Sequence, residues 1–286
     1  MAGRTVQDYI VVKEPDEAIA ALADGDTAVL AGGQSLVLDL ARRANQPARL
    51  VDINRVAAFD SLAETGTGWR IGPLVRHRTF ETEAVGGRLG VLLRRIVRHI
   101  GHPPIRARGT MLGSLAYAHP AAEWTVLAAM LGARLELAGP DGIRPVAAGD
   151  FFTGPFSTVR RPDELLAGLH LDALPPRTGT GYAEVRGPRA VYAETAAMAA
   201  VTVADGVVVN AAIGLVNAGP CPVRARAAER ALIGGPFRDR AITTAAERAA
   251  EEDATFLHLP AADRPHLRLL LRAMTRRALT QAREEA

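Results

Sequence analysis

Arg108-Gly109-Thr110-Met111-Leu112-Gly113-Ser114-Leu115-Ala116-Tyr117-Ala118-His119-Pro120-Ala121-Ala122-Glu123 is the stretch on which the reading of this chain turns. It is a tight turn of small residues that leads into an apolar segment. A shorter counterpart lies upstream, Ala31-Gly32-Gly33-Gln34-Ser35-Leu36. In both, glycine tolerates positive φ and close approach, so backbone N–H groups can point at one anion. Two such turns suit a ligand with two phosphates, and a dinucleotide such as FAD is the natural candidate.

The upstream turn sits in an alternation of element types. Tyr9-Ile10-Val11-Val12 reads as a strand and residues 16–23 as an alanine-rich helix with an acidic first turn. Thr27-Ala28-Val29-Leu30 is a second strand that ends at the turn. Residues 35–43 follow at helical spacing, and Leu50-Val51-Asp52-Ile53 is a third strand. This β-α-β-loop-α-β order is that of a small α/β unit with its ligand loop at the C-terminal end of a strand. The positive end of the next helix and the side chains of Gln34 and Ser35 add to the anion site.

Around the longer turn, residues 91–100 are amphipathic, residues 124–131 form an apolar helix and residues 133–137 a strand. Pro140-Asp141-Gly142 turns that strand back on itself. Pro175-Pro176-Arg177-Thr178-Gly179-Thr180-Gly181 reads as a linker. Beyond it, residues 198–203 and 207–215 flank the hairpin turn Ala204-Asp205-Gly206, and residues 223–232, 241–252 and 264–283 read as helices.

The bulk numbers narrow the function classes. The chain has 286 residues, 48% of them hydrophobic and 23% charged, with a net charge of +3. Its arginines are dispersed, which argues for a solvated surface and against nucleic-acid binding. Cys221 is the sole cysteine, so no internal disulfide, iron–sulfur cluster or cysteine zinc site is available. The histidines His77, His99, His102, His170, His258 and His266 show no metal-ligand spacing, and no residue is assigned to a metal. Residues 1–6 lack the apolar core of a signal peptide and no window is long and apolar enough to span a membrane. The expected compartment is the cytoplasm.

Together these segments resemble the FAD-binding (medium) subunits of the molybdenum hydroxylases, which include the carbon monoxide dehydrogenase medium subunit and the flavin domain of xanthine dehydrogenase. The first turn with Leu50-Val51-Asp52-Ile53-Asn54-Arg55-Val56, then Ile71-Gly72-Pro73-Leu74-Val75-Arg76-His77, carries the N-terminal part of the likeness. Asp150-Phe151-Phe152-Thr153-Gly154-Pro155 and Asn217-Ala218-Gly219-Pro220-Cys221-Pro222-Val223-Arg224-Ala225 carry the rest. The resemblance implies an α+β chain: a two-subdomain PCMH-type (vanillyl-alcohol-oxidase-type) FAD-binding domain over residues 1–174, with subdomains about 1–57 and 58–174. A linker at 175–182 and a small α+β C-terminal domain at 183–286 would follow.

It also implies cofactor contacts. Ala31, Gly32, Gly33, Gln34, Ser35 and Leu36 would hold the pyrophosphate, and Thr110, Gly113 and Ser114 would form a second cradle with Ala118 and His119 beside it. Glu123 would stand near the ribose or adenine end, Ile100 and Leu166 beside the cofactor, and Arg186 near the flavin, where a cation stabilises the anionic reduced ring. Three places depart from the family pattern: Leu112 stands where a glycine is usual, His119 replaces an acidic position, and the segment from Arg189 to Ala196 carries an extra residue.

The reading that follows is an electron-transfer flavoprotein subunit working with a molybdopterin-binding large subunit and a 2Fe–2S small subunit. One alternative is a standalone FAD-dependent oxidase or dehydrogenase of a small molecule, in which Tyr117 and His119, the latter titrating near neutrality, would be catalytic. Another is a binding module that has lost its flavin, for which Leu112 is the support.

Overall fold

A computed structural model describes residues 6–23, 25–44, 46–188 and 190–286. Most of the N-terminal segment read for a targeting signal, and Arg189, lie outside the described residues.

The chain opens with β1 (Asp8–Val11), α1 (Pro15–Ala23), β2 (Thr27–Leu30), α2 (Leu36–Ala41) and β3 (Arg49–Asp52). The three strands form a parallel sheet in the order β1-β3-β2. Crossovers through helices give parallel neighbours, as the alternation of periods in the sequence implies. Ala18 and Leu22 of α1, with Val51 and Ile53, make a small core that Phe59, Leu74 and Leu165 close from the next layer.

That layer contains β4 (Leu62–Glu64), β5 (Gly68–Ile71), α3 (Gly87–Val97), α4 (Pro103–Arg108), α5 (Met111–Tyr117) and α6 (Glu123–Met130). Then come β6 (Arg134–Gly139), β7 (Gly142–Ala147), α7 (Ala148–Phe151), the small hairpin β8 (Phe152–Gly154) with β9 (Ser157–Thr158), and β10 (Leu165–Asp172). The sheet runs β4-β5-β10-β6-β7, antiparallel throughout. Between β5 and α3 the chain forms one 3-10 helix over His77–Glu81.

The C-terminal sheet β11 (Thr178–Val185), β12 (Thr195–Ala204), β13 (Val207–Val216), β14 (Val223–Arg224) is covered by α8 (Arg226–Leu232), α9 (Asp239–Arg248) and α10 (Arg264–Glu285). Strand β12 is buried on both faces. Ala196, Met198 and Ala200 join the core of the central layer, while Ala197, Ala199 and Val201 join the core beneath the C-terminal helices. This is why Thr195-Ala196-Ala197-Met198-Ala199-Ala200-Val201 reads as continuous apolar residues and not as an alternation.

Two sequence expectations are corrected. The linker expected at 175–182 is a strand from Thr178 onward. Its glycines mark close approach: a Cβ on Gly181 would lie 1.9 Å from the carbonyl oxygen of Ala278 in α10, so the helix rests directly on the strand. The helix expected at 223–232 begins only at Arg226, because Val223 and Arg224 pair with Leu215 and Gly214 as an edge strand.

Candidate functional site

The first turn leaves β2 at Leu30 and enters α2, with Gly33 at φ +75°. Gly32 meets the second turn. A Cβ there would lie 2.4 Å from the carbonyl oxygen of Arg108 and 2.7 Å from Cα of Gly109, so the two glycine turns touch through their backbones. Two side chains fasten them. Asn54 donates through Nδ2 to the Ala31 carbonyl (2.8 Å) and accepts from Arg76 Nη2 (2.7 Å). Arg76 Nη1 donates to the Arg108 carbonyl at 2.5 Å. Burial, followed by the charge of Arg108, lowers the pKa of Arg76. Ser35 makes no capping hydrogen bond at α2, and Gln34 turns back so that Nε2 donates to the Gly32 carbonyl at 3.3 Å.

In the second turn, Thr110 is the N-cap of α5, and its hydroxyl accepts from the Gly113 amide at 3.0 Å. The Ser114 amide donates to the Thr110 carbonyl, and the Met111 amide to the Val75 carbonyl. Leu112 is buried in the central core. The departure that suggested a flavin-free module is therefore absorbed by packing. Helix α5 ends at Ala118, which is left-handed (φ +51°) and accepts from the Phe156 amide at 2.9 Å.

Tyr117 and His119 lie beside this turn in an aromatic group. Tyr117 donates to Asp39 Oδ1 of α2 at 3.2 Å. The His119 ring stacks on Tyr192 (centroids 3.8 Å apart, planes at 10°) and meets Phe156 edge-on at 5.2 Å. His119 Nδ1 accepts from the Ala121 amide at 3.1 Å, so the neutral ring carries its proton on Nε2. Burial, reinforced by His258, lowers its pKa to about 4. The expectation of a titration near neutrality is corrected: near pH 7 this imidazole is a neutral donor and a weak base.

Ile100, Glu123 and Arg186 converge at the seam between the central layer and the C-terminal sheet. Glu123, at the start of α6, is fully buried, and its Oε1 lies 3.8 Å from Arg186 Nη2. Arg186 Nη2 also donates to Glu184 Oε2 (3.0 Å) and to the His99 carbonyl (2.5 Å), next to Ile100. Tyr182 donates to Glu184 Oε2 at 3.0 Å, and His99 Nδ1 is 3.1 Å from Glu184 Oε1. Burial, with the charge of Glu184 added, pushes the Glu123 carboxyl up to about 8. Glu123 was expected near the ribose or adenine end of a ligand and Arg186 near its flavin; the two side chains lie 3.8 Å apart. Leu166 is core, buried in β10.

Asn54 and Arg76 belong to the segments that carry the family resemblance but were given no role there, and Tyr192 lies unassigned between Arg189 and Ala196. For Asn54 the local signal is its place two residues after Asp52, whose Oδ1 accepts from the Asn54 amide at 2.8 Å. A cavity of about 760 Å³ lies apart from all of this, between α1 and the far face of the central sheet, lined by Ile19, Phe59, Arg70, Ile143 and Ala167. None of the residues expected from the sequence to be catalytic or to contact a cofactor lines it. Cys221 is partly buried, with Sγ donating to the Phe152 carbonyl at 3.4 Å. Among the described residues no group of three His, Cys, Asp or Glu side chains is placed to hold a metal, and no helix is long and apolar enough to cross a membrane.

Comparison with known proteins returns the same architecture. Residues 4–173 match the model of the FAD binding domain in molybdopterin dehydrogenase, and residues 181–282 that of the CO dehydrogenase flavoprotein C-terminal domain. The chain is 34% identical over 247 residues to the carbon monoxide dehydrogenase medium chain of Afipia carboxidovorans, covering 83% of this chain and 85% of that one. It is 31% identical over 284 residues to subunit alpha of the 6-hydroxypseudooxynicotine dehydrogenase complex of Paenarthrobacter nicotinovorans (98% and 95% covered). Among solved structures, carbon monoxide dehydrogenase from Hydrogenophaga pseudoflava superposes with a TM-score of 0.92 at 29% identity, covering 99% of this chain and 98% of that one.

Proposed function

This chain belongs to the FAD-binding family of molybdopterin dehydrogenases, and we propose that it stores and forwards electrons for a molybdenum hydroxylase complex. FAD is its cofactor. A 2Fe–2S partner subunit delivers the electrons, a molybdopterin-binding large subunit removes them from substrate, and an external acceptor takes them from this chain. When bound, FAD supplies the redox chemistry; the protein supplies position and charge.

The observation that carries the reading is a pair of orphaned buried atoms. Glu123 Oε1 and Arg186 Nε have no hydrogen-bond partner and lie in one cluster. Buried polar atoms are almost always satisfied, so two of them side by side mark the place of a polar ligand. The residues suit FAD in their chemistry: a guanidinium for an electron-rich ring, a buried acid beside it, and glycine turns for the diphosphate. In this reading Gly32, Gly33, Gln34, Ser35 and Leu36 cradle the pyrophosphate with Thr110, Gly113 and Ser114. Ala31, Ala118 and His119 border it, while Ile100, Glu123, Leu166 and Arg186 surround the ring end. Asn54 and Arg76 hold the two turns at fixed separation. The proposed units are a FAD-binding unit over residues 1–174 and a C-terminal unit that starts with β11, and the proposed compartment is the cytoplasm, where a lone thiol such as Cys221 stays reduced.

The test is reconstitution. The purified chain is incubated with FAD, and its visible spectrum is recorded before and after anaerobic reduction and again after mixing with its iron–sulfur partner. Flavin bands that bleach through the reduced partner are expected. Failure to take up FAD in the presence of both partner subunits would overturn the proposal.

A further inference from the structure

Glu123 stands in a group in which one of two carboxyls has a guanidinium within hydrogen-bond distance and the other does not. Two carboxyl groups, Glu123 and Glu184, face a single guanidinium, Arg186. Arg186 is committed to Glu184 at 3.0 Å, with the His99 carbonyl on the same nitrogen, and is 3.8 Å from Glu123. Glu184 is further held by Tyr182 and His99. Burial raises Glu184 as well, but the hydrogen bond and charge of His99, with Arg186 and Tyr182, outweigh it and leave Glu184 on the ionised side. Glu123 Oε1 is buried with no hydrogen-bond partner among the described residues, and an ionised carboxylate there would be costly. The groups facing Glu123 are Tyr182 and Glu184 from β11, Arg186 directly after it, and Tyr192 from the following segment. At the outer end of the group the His99 side chain is 38% exposed, so the cluster reaches solvent.

We propose that Glu123 carries the one exchangeable proton of this site, binding it as electrons accumulate beside Arg186 and releasing it as they leave. The inference rests on the reading of this cluster as part of the FAD site. The step balances simply. Electrons come from the iron–sulfur partner and add negative charge beside the cluster. A proton from solvent bonds to a carboxylate oxygen of Glu123, turning –COO⁻ into –COOH, and no bond in the protein breaks. When the electrons pass to the acceptor, the O–H bond breaks and the proton returns to solvent. Glu184 and Arg186 do not exchange protons; they are positioning residues that set the pH at which Glu123 does so.

Because the Glu123 carboxyl is already raised to about 8 without stored electrons, the coupling is confined to alkaline pH. Below about pH 8 the proton is present in both redox states; above it, reduction recruits one more.

Two measurements test this. Infrared spectra of the full chain without FAD, titrated from about pH 6 to 10, should show the carbonyl stretch of a protonated carboxylic acid that vanishes near pH 8. The band should be missing in Glu123→Gln. In Glu184→Gln, Arg186 is freed toward Glu123, and the band should vanish at least about one pH unit lower, which a merely structural role would not produce. On the FAD-loaded chain, the midpoint potential of wild type should fall more steeply with pH above about 8, by one extra proton per electron pair, and Glu123→Gln should lack this break. No titrating carboxylic band, or a band that survives in Glu123→Gln, overturns the proton site. A band that behaves as expected with no break in the potential overturns the coupling. Failure to bind FAD counts against the reading of the cleft, and the infrared result stands apart from it.

Discussion

The indole Nε1 of Trp124 donates to Nδ1 of His77 across 3.0 Å in the central core. This bond ties the first turn of α6 to the segment that pairs with Gly109, since the His77 amide donates to the Gly109 carbonyl at 2.9 Å. The partnership fixes His77 as a neutral ring: burial, then the charges of Arg106 and Arg76, lower its pKa to about 4. An unfolded histidine binds its proton near pH 6.5, so between about pH 6.5 and 4 the unfolded chain holds more protons than the folded one. Stability is therefore full above about pH 6.5 and falls as pH drops through that window, by about 3 kcal/mol from this group alone. Urea unfolding of wild type and His77→Gln at about pH 7.5 and 4.5 checks the sign. Wild type should lose more between the two conditions; equal acid sensitivity in the variant would remove His77 as the cause.

Gly32 sets how closely the two turns approach. In Gly32→Ala the new methyl would sit 2.4 Å from the Arg108 oxygen, a backbone atom that cannot rotate away. The turns must part, and FAD affinity should fall by about tenfold or more, with a stability loss of about 1–3 kcal/mol. Fluorescence titration with FAD and thermal unfolding read the two effects separately. Unchanged affinity would show that the contact between the turns does not shape the ligand site.

How far the sequence carried this picture depended on whether the deciding contact was local. The hairpin of β12 and β13 was legible because Ala204-Asp205-Gly206 separates two apolar runs, and the parallel first sheet because periods alternate along the chain. Thr178-Gly179-Thr180-Gly181 read as a linker because glycine next to threonine is ordinary loop composition. Its true cause, the backbone of α10 pressed on the strand, lies about a hundred positions away in the chain. The site failed in the same way. Glu123 and Arg186 were identified one at a time, and only the fold, which brings the residue after β11 to within 3.8 Å of the start of α6, makes them a pair. Tyr192 was passed over because its partner His119 belongs to another layer.

Arg76 is expected to matter through its shape as well as its charge. Its fork reaches the Arg108 carbonyl and Asn54 Oδ1 at once, which an ammonium on a longer stem cannot reproduce with the same geometry. Arg76→Lys keeps the charge and should still weaken FAD binding several-fold while costing about 1–2 kcal/mol of stability. Asn54→Ala should have a similar effect on affinity. The double variant should be little worse than either single one, because both remove the same fastening. Calorimetric titration with FAD on all three proteins decides; fully additive losses would mean that the two side chains act independently.

Glu285, at the end of α10, is the other place where one residue links distant layers. Its carboxylate takes Arg88 and Arg95 from α3, with Arg88 Nη2 at 2.6 Å, and accepts from the Thr180 hydroxyl at 3.0 Å. The two arginines also reach the carbonyls of Thr178 and Thr180, so α3, β11 and α10 meet at one carboxylate. Burial alone would raise Glu285, yet the hydrogen bonds and charge of Arg95, with Thr180, leave its pKa below the ordinary value. A depressed acid contributes stability that is present above its unfolded pKa, about 4.3, and is lost as pH falls through the lower folded value. Glu285→Gln should cost about 1–3 kcal/mol at neutral pH and almost nothing in strong acid. The cleft residues are far from this change in sequence, and FAD affinity per folded molecule should stay as in wild type. A loss of affinity without a loss of stability would instead make the end of α10 part of what shapes the cofactor site.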